Sequence, residues 1–235
     1  MARRVAGTAF LIRVASAALA FISQVLLARW MGSFQFGIYV YVWTWVLVVL
    51  ALVDLSLASS AQRFIPEYTG RNDLARLRGF LSGIRWFSFA LGCGFGLIAA
   101  AAIWLLQPWI DSYAVLPLYI ACIMLPLYGW AIPQDGIARS YNWVGLALIP
   151  PYVLRQILLV VFMAAIYFGG FITDAVTATS AACVSLLLAT IVQSLVLDRR
   201  LARTIAPGPK TFAFGEWLRV SLPMLVIDCF YQFLL

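Results

Sequence analysis

Apolar residues in this chain form continuous runs of about 20 positions, separated by short segments that hold most of the polar residues. A membrane-spanning helix needs about 20 such residues, whereas a barrel strand alternates apolar and polar residues over about 10. The pattern therefore predicts helices. Six full spans and a seventh at the end of the sequence are predicted: 6–28, 36–60, 80–106, 114–137, 146–168, 175–197 and 218–235.

The composition supports this interpretation. Hydrophobic residues make up 64% of the chain, charged residues make up 11%, and the mean hydropathy is +0.98. A soluble domain carries about 25% charged residues, so this chain needs lipid as its solvent. Within lipid, only helices and closed barrels satisfy their own backbone hydrogen bonds. We therefore expect an all-α integral membrane protein.

The basic residues lie mainly on one side of the predicted spans. That side holds Arg3, Arg4, Arg63, Arg71, Arg76, Arg78, Arg139, Arg199, Arg200, Arg203 and Lys210. The loops on the other side hold Arg29 together with Asp111 and Asp174. The positive-inside rule then predicts a multi-pass protein with a cytoplasmic N-terminus. Because topology accounts for the net charge of +7, nucleic acid is not an expected partner.

Residues that commonly carry catalysis or metal chemistry are scarce. The chain contains no histidine, the commonest acid–base group and metal ligand. Its four cysteines fall in four different apolar runs without a C-x-x-C pair, which is typical of small buried residues. We expect no metal, no cofactor and no catalytic residues. A membrane glycosyl- or acyltransferase is disfavoured because the loops are short and lack an acidic metal-binding pair.

Ionisable residues inside the hydrocarbon are functional candidates, because an unpaired charge there is costly. Arg13 lies about 7 residues into the first span, roughly 10 Å deep. Gln24 follows at about 20° from the same helix face. Small residues occupy the stripe between them: Ser16, Ala17 and Ala20. Such a stripe is typical of a face that points into a bundle. The alternative is that Arg13 snorkels to the cytoplasmic surface.

Other deep polar residues extend this picture. Arg155 and Gln156 lie about 9 residues into the fifth span, near the midplane, so Arg155 is expected to face a wet cavity or a carboxylate. Asp54 lies at about the depth of Arg13 and could pair with it structurally or titrate. Asp135 is expected to be a solvated charge near the inner interface. A cationic interior of this kind suits an anionic substrate, and guanidinium groups match phosphate.

Prolines and glycines mark the backbone at several points. The prolines of the fourth and fifth spans are Pro117, Pro126, Pro133, Pro150 and Pro151. Prolines kink helices, which transporters use near their sites and other bundles tolerate. The motifs Gly79-x-x-x-Gly83 and Gly92-x-x-x-Gly96 are expected to allow close helix packing.

The loops also carry local signals. Gly70 and Asn72 predict a turn, with Asp73 near the N-cap of an amphipathic start to the third span. Residues 206–210, Ala-Pro-Gly-Pro-Lys, predict a flexible break after a six-helix unit.

Several segments resemble bacterial polysaccharide (O-antigen type) flippases. Residues 26–32, Leu-Leu-Ala-Arg-Trp-Met-Gly, followed by 36–39, Phe-Gly-Ile-Tyr, resemble the first loop of that family. Residues 63–68 and 75–80 resemble its loop between spans two and three, and 136–140 with 154–155 resemble the passage from span four to span five. The resemblance extends over nearly the whole chain and rests on the order and spacing of these motifs.

The family belongs to the multidrug/oligosaccharidyl-lipid/polysaccharide exporter superfamily, whose members have two six-helix lobes around a central cavity. The resemblance implies alternating-access transport of an oligosaccharide on undecaprenyl diphosphate across a bacterial inner membrane. By position, Arg13 and Arg155 would be cavity cations that meet the diphosphate, and Asp54 would be a counter-charge or coupling residue. Gln24 and Gln156 are further candidates for the substrate site, and Asp135 is a second candidate coupling or counter-charge residue. Membrane lipids, the polysaccharide polymerase and the glycosyltransferases of the same pathway are the further partners implied.

Members of this family are about twice as long as this chain. The resemblance therefore implies an N-terminal six-span lobe at 1–200, a cytoplasmic linker at 201–217 and the start of a second lobe at 218–235, and a partial sequence is expected. Two alternatives stay open. One is a cation-coupled multidrug antiporter of the same superfamily, and the other is a membrane assembly protein without transport activity.

Overall fold

The computed structural model describes residues 2–54 and 56–233, with side chains left out at 2–6, 8–9, 54, 222 and 225–233. The described residues are mostly helical and contain no strand. Its helices are α1 (Ala2–Asp54), α2 (Leu57–Gly70), α3 (Leu74–Leu106), α4 (Ser112–Ser140), α5 (Val144–Leu148), α6 (Arg155–Phe168), α7 (Ala175–Thr204) and α8 (Phe214–Phe233). A 3-10 turn, Gln107–Trp109, follows α3, and a π-helical segment, Ile149–Leu154, joins α5 to α6.

Five helical stretches in the described residues are long and apolar enough to cross a membrane. They are Phe10–Gly70, Leu74–Trp109, Ser112–Ser140, Val144–Phe168 and Ala175–Thr204. These stretches confirm the all-helical prediction and are consistent with a multi-pass membrane protein. The first stretch has 61 residues, about three times the length that one crossing requires.

Gly32 divides this first stretch. Its backbone angles of φ 78° and ψ 163° are not helical, and a positive φ of this kind suits glycine because it has no Cβ. Trp30, just before the break, stacks on Tyr167 with ring centroids 5.6 Å apart, and Phe34, just after it, contacts Tyr113 at 5.2 Å. Both sides of the break therefore lie at one end of the helix bundle.

The two halves of α1 run in opposite directions from that end. Residues before Gly32 run back toward Leu148, which lines the same cavity as Arg13. Residues after Gly32 run along α4 until the backbone of Ala58 contacts Gly136. The predicted separation of the first two apolar runs near residues 29–35 therefore corresponds to a chain reversal.

A break in the helix interrupts the second predicted span before its expected end near residue 60. The α1 helix ends at Asp54, Ser56 adopts a left-handed conformation with φ 54°, and α2 begins at Leu57. The turn predicted after Gly70 is confirmed, since Asn72 has φ 58°. The predicted N-cap is also confirmed, because the Asp73 carboxylate accepts a hydrogen bond from the Arg76 backbone N–H at 3.1 Å.

The α4 helix lies at the centre and contacts α1, α2, α3 and α7. Its approach to α3 depends on glycine: a Cβ at Gly92 would lie 2.6 Å from the Leu125 carbonyl oxygen, and one at Gly96 would lie 3.0 Å from that of Cys122. The packing role predicted for this glycine pair is confirmed. The three prolines of α4 lie within one helix, whereas Pro150 and Pro151 lie in the π-helical segment.

The segment predicted to be a flexible break is instead attached to the start of α3. The Arg78 guanidinium donates to the carbonyl oxygens of Ala206 at 2.8 Å and Pro209 at 3.3 Å, and the Thr211 N–H donates to the Ala75 carbonyl at 3.0 Å. Gly79 gives the backbone room for this contact. Spacing alone could not show this attachment, because the two segments are about 130 residues apart.

Trp217 anchors the segment that follows. It is 1% exposed, packs against Gly83, and donates its indole N–H to the Tyr68 hydroxyl at 3.1 Å. Gly79 thus packs against Thr211, and Gly83 packs against Trp217 in the first turn of α8. The close helix packing expected at this motif is therefore with α8.

Charge is distributed unevenly between the two ends of the bundle. The end that contains residues 71–73, 141–143 and 205–213 carries Arg71, Arg76, Arg78, Arg139, Arg199, Arg200, Arg203 and Lys210. The opposite end contains residues 107–111 and 169–174, with Asp111, Asp174 and Arg29, which precedes Trp30. The structure therefore gathers at one end the basic loops that the topology prediction places on one side.

Candidate functional site

A cavity of about 340 Å³ lies between the first half of α1 and the α5–α6 stretch. Its lining consists of Ile12, Arg13, Ser16, Ala17, Ala20, Leu148, Tyr152, Arg155 and Gln156. We call it the arginine cavity. Its volume lies at the lower end of the range of about 300–1,000 Å³ seen for ligand pockets. The structure thus brings Arg13 together with Arg155 and Gln156, although the two arginines are 142 residues apart in the sequence.

The two prolines at the start of the fifth apolar run set the position of Arg155. Its backbone N–H reaches the Pro150 carbonyl, five residues back, instead of the carbonyl four residues back that an α-helix uses. The Arg155 Nε then donates to the Pro151 carbonyl at 3.1 Å. The π-helical segment therefore provides a backbone acceptor that fixes one edge of the guanidinium.

Aromatic side chains hold the guanidinium from the other side. The Arg155 Nη1 donates to the Tyr128 hydroxyl of α4. The Arg155 Cζ lies 5.1 Å from the Trp43 ring centroid and 6.0 Å from that of Tyr128, within the range of a cation–π interaction. These partners carry no charge, so they orient Arg155 without neutralising it. A guanidinium has five N–H donors, and within the described residues that of Arg155 donates to two acceptors, the Pro151 carbonyl and the Tyr128 hydroxyl.

Arg13 lies on the more open side of the cavity. It is exposed, and the Ser16 hydroxyl donates to its backbone carbonyl at 2.9 Å. Ala17 and Ala20 lie on the same face of α1. Because their side chains are small, space remains between α1 and the α5–α6 stretch. Gln156 is 7% exposed and places an amide at the inner wall.

Gln24 is not among the residues that line the cavity, although its position on the Arg13 face favoured it. In this turn of α1 the buried positions are Ser23, 0% exposed, and Leu27, 1% exposed. Leu27 belongs to an apolar cluster with Leu159 of α6. Because α1 and α6 pack directly here, the cavity ends before this turn, and Ala20 is its last lining residue on α1. Gln24 is exposed.

Asp54 and Asp135 are the two predicted counter-charges. The side chain of Asp54 lies outside the described residues. Asp135 is not a solvated end charge: its side chain is 19% exposed and pairs with Arg139 at 2.7 Å. The positive charge of Arg13 also acts on the Asp135 carboxylate. Asp135 therefore lies near Arg13, and it is paired with Arg139 of the same helix, α4.

Two features of the charged groups between the helices were not predicted from the sequence. Trp43 and Tyr128 hold Arg155, and no spacing signal links them because they lie on different helices. Arg85 of α3 forms a second part-buried cation, with its side chain 12% exposed and its Nη1 2.7 Å from the Asp198 carboxylate. The only signal for Arg85 was its position inside the third apolar run.

No family model matches the chain, and neither a curated protein nor a solved structure matches it. Among the described residues, no group of three or more histidine, cysteine or acidic side chains could hold a metal ion. The fold and the site therefore define a class: a helical protein with several helices apolar enough to cross a membrane and with two arginines in one cavity. That arrangement can bind an anion by charge and by hydrogen bonds from guanidinium groups.

Proposed function

We propose that this chain belongs to a transporter that moves an oligosaccharide, linked to undecaprenyl diphosphate, across a bacterial inner membrane by alternating access. In this proposal the stretches from α1 to α7 make six crossings, with Gly32 as the reversal between the first two, and form one lobe. The basic end of the bundle faces the cytoplasm, as the positive-inside rule favours. The loop motifs that resemble polysaccharide flippases support the substrate class.

One observation carries the proposal. Arg13 and Arg155 line a single cavity, and the described lining contains no carboxylate. A diphosphate group carries negative charge over several oxygens, which guanidinium groups can bind with two N–H groups each. Arg155 is oriented by Pro151 and Tyr128 before any ligand arrives, so less ordering is needed on binding.

Complementation tests the transport function. We expect the complete reading frame that encodes this chain to restore surface polysaccharide in a bacterial strain that lacks its own flippase. Arg13→Ala combined with Arg155→Ala should abolish the restoration, whereas Arg63→Ala, at an exposed position outside the cavity, should not. Equal protein levels in the membrane must accompany the comparison. Full restoration by the double variant would contradict the role of the cavity.

A cation-coupled multidrug antiporter of the same superfamily is the second candidate. The observation that favours it is the part-buried Asp135 carboxylate beside the cationic region, because a carboxylate in such a place can exchange a cation. Drug resistance in an expressing strain, lost with Asp135→Asn and kept with Arg155→Ala, would support this alternative over the flippase.

A further inference from the structure

Two further cavities lie toward the end of the bundle opposite the basic loops. One cavity, of about 490 Å³, lies where α3 and α4 connect and where α1 reverses. The other, of about 310 Å³, runs along the second half of α1 between α3 and α4. Both are lined by Tyr41 and Ile110, so the two cavities adjoin at these side chains. Together we call them the amphipathic groove, since the two parts differ in chemistry.

The part that runs along the helices is an apolar slot. Its inner wall consists of buried side chains, including Val46, Ile103 and Leu125. The small residues Ala99 and Ala102 of α3 leave the space open. An empty apolar slot forfeits dispersion contacts on one side, so a chain of methylene groups from the surrounding lipid is the natural filling.

The part at the helix ends is polar. Asp111 occupies the N-cap position of α4 but its side chain makes no capping hydrogen bond. Asp73 and Asp174, in the same position at α3 and α7, do cap their helices. The Asp111 carboxylate instead accepts a hydrogen bond from the Tyr113 hydroxyl at 2.6 Å. Asp111 lines the cavity, and its carboxylate forms no ion pair with any side chain that the structure describes.

Aromatic side chains border this polar part. Trp109 is 87% exposed and Tyr41 is 48% exposed, and both line the cavity. Tryptophan and tyrosine are enriched at the depth of lipid headgroups, and their ring faces attract ammonium groups. A carboxylate with aromatic neighbours at the mouth of an apolar slot thus complements a molecule with an ammonium group at one end and an alkyl chain at the other.

We propose that the amphipathic groove binds a phospholipid with an ammonium headgroup, of the phosphatidylethanolamine type. One acyl chain occupies the slot and the ammonium group pairs with Asp111. Charge complementarity favours this lipid over phosphatidylglycerol, which has no cation to offer the carboxylate. The proposal is independent of the arginine cavity, so it goes beyond the transport function proposed above.

Photo-cross-linking of lipids tests the proposal. The protein is reconstituted in nanodiscs of equal parts phosphatidylethanolamine and phosphatidylglycerol, and each lipid in turn carries a diazirine on one acyl chain. We expect labelling of the peptides that contain residues 99–106 and 118–125, with phosphatidylethanolamine favoured about 2–5-fold, the range for an exposed ion pair. Asp111→Asn should bring that ratio to about one while both lipids still label the slot.

Filling the slot separates specific binding from general contact with lipid. Ala102→Trp should remove labelling of these peptides by both lipids. Ala101→Trp, one position away and outside the groove lining, is the matched control and should retain it. Asp111→Asn keeps the slot intact, so the headgroup test stands even if Ala102→Trp fails to fold. Equal labelling by the two lipids, no effect of Asp111→Asn, or equal loss in the two tryptophan variants would overturn the proposal.

Discussion

Two part-buried arginines in this protein have different partners. Arg155 and Arg85 each lie beside a tryptophan, with Cζ 5.1 Å from the Trp43 ring centroid and 5.6 Å from that of Trp130, respectively. Both also donate to a backbone carbonyl four residues earlier on their own helical stretch. Arg85 additionally has a carboxylate at 2.7 Å, from Asp198. Arg155 has the neutral hydroxyl of Tyr128 in the corresponding role.

This difference separates a structural cation from one that is available to a ligand. An ion pair cancels most of the field of Arg85, so that group joins α3 to α7. Aromatic rings and a hydroxyl orient Arg155 but leave its positive charge uncompensated within the arginine cavity. The net charge of the immediate surroundings, more than the depth of the residue, therefore indicates which arginine can bind an anion.

The largest expected effect concerns Arg155 itself. Arg155→Ala should weaken binding of undecaprenyl diphosphate to the purified protein by about 10–100-fold, because hydrogen bonds to charged groups contribute about 1.5–3 kcal/mol. Arg85→Ala is the matched control and should leave the affinity within about 2-fold. Undecaprenol, which lacks the diphosphate, should bind both variants and the parent equally. Equal losses for the two arginine variants would erase the distinction drawn between them.

A smaller effect is expected for the residues that hold Arg155. Tyr128→Phe removes a hydrogen-bond acceptor, and Trp43→Leu removes a cation–π contact of about 0.5–2 kcal/mol, so each should weaken diphosphate binding by about 2–30-fold. A double-mutant cycle checks the mechanism. In the Arg155→Ala background neither substitution should have a further effect on affinity. An unchanged effect in that background would show that these side chains act on the ligand by another route.

The smallest effect is expected for the Arg85–Asp198 pair, and it concerns stability. The Asp198 side chain is 56% exposed, so the pair is screened by solvent and contributes about 0.5–1 kcal/mol. Arg85→Ala should lower the Tm by about 1–4 °C, and Asp198→Asn should lower it by less. The exchange variant Arg85→Asp with Asp198→Arg should recover part of the loss. A large fall in diphosphate binding in any of these variants would assign this pair to the site.

Much of the fold follows from local properties of the sequence. Continuous apolar runs predicted the helices, and Asp73 predicted the start of α3, because both depend on neighbours in the chain. The Gly92 and Gly96 pair predicted close packing because its spacing leaves one face of α3 without side chains, although the spacing did not identify α4 as the partner. The break between α1 and α2 was not predicted, because Ser56 adopts its left-handed conformation without a glycine or proline to mark the position. The attachment of residues 205–213 to α3 was missed because it depends on contacts between distant segments.

Some residues of the candidate site were also predictable from the sequence, and others were not. The depth of Arg13 and Arg155 in their apolar runs made them candidates, and the structure places both in one cavity with Gln156. Gln24 was a candidate by its helix face alone, yet the packing of Leu27 against α6 closes the space beside it. Trp43 and Tyr128 could not be found from spacing, because three different helices must meet before these side chains surround Arg155.

The sequence by itself determined that this protein is helical, that its helices are apolar enough for a membrane, and that charges are buried among them. These properties reflect the solvent each segment requires and the hydrogen bonds that a helix makes within itself. Only the tertiary structure decided which charges are neutralised, which face a cavity, and where an apolar slot meets a free carboxylate. Such properties depend on the distance between side chains from different helices, and Coulomb interactions and packing act through that distance.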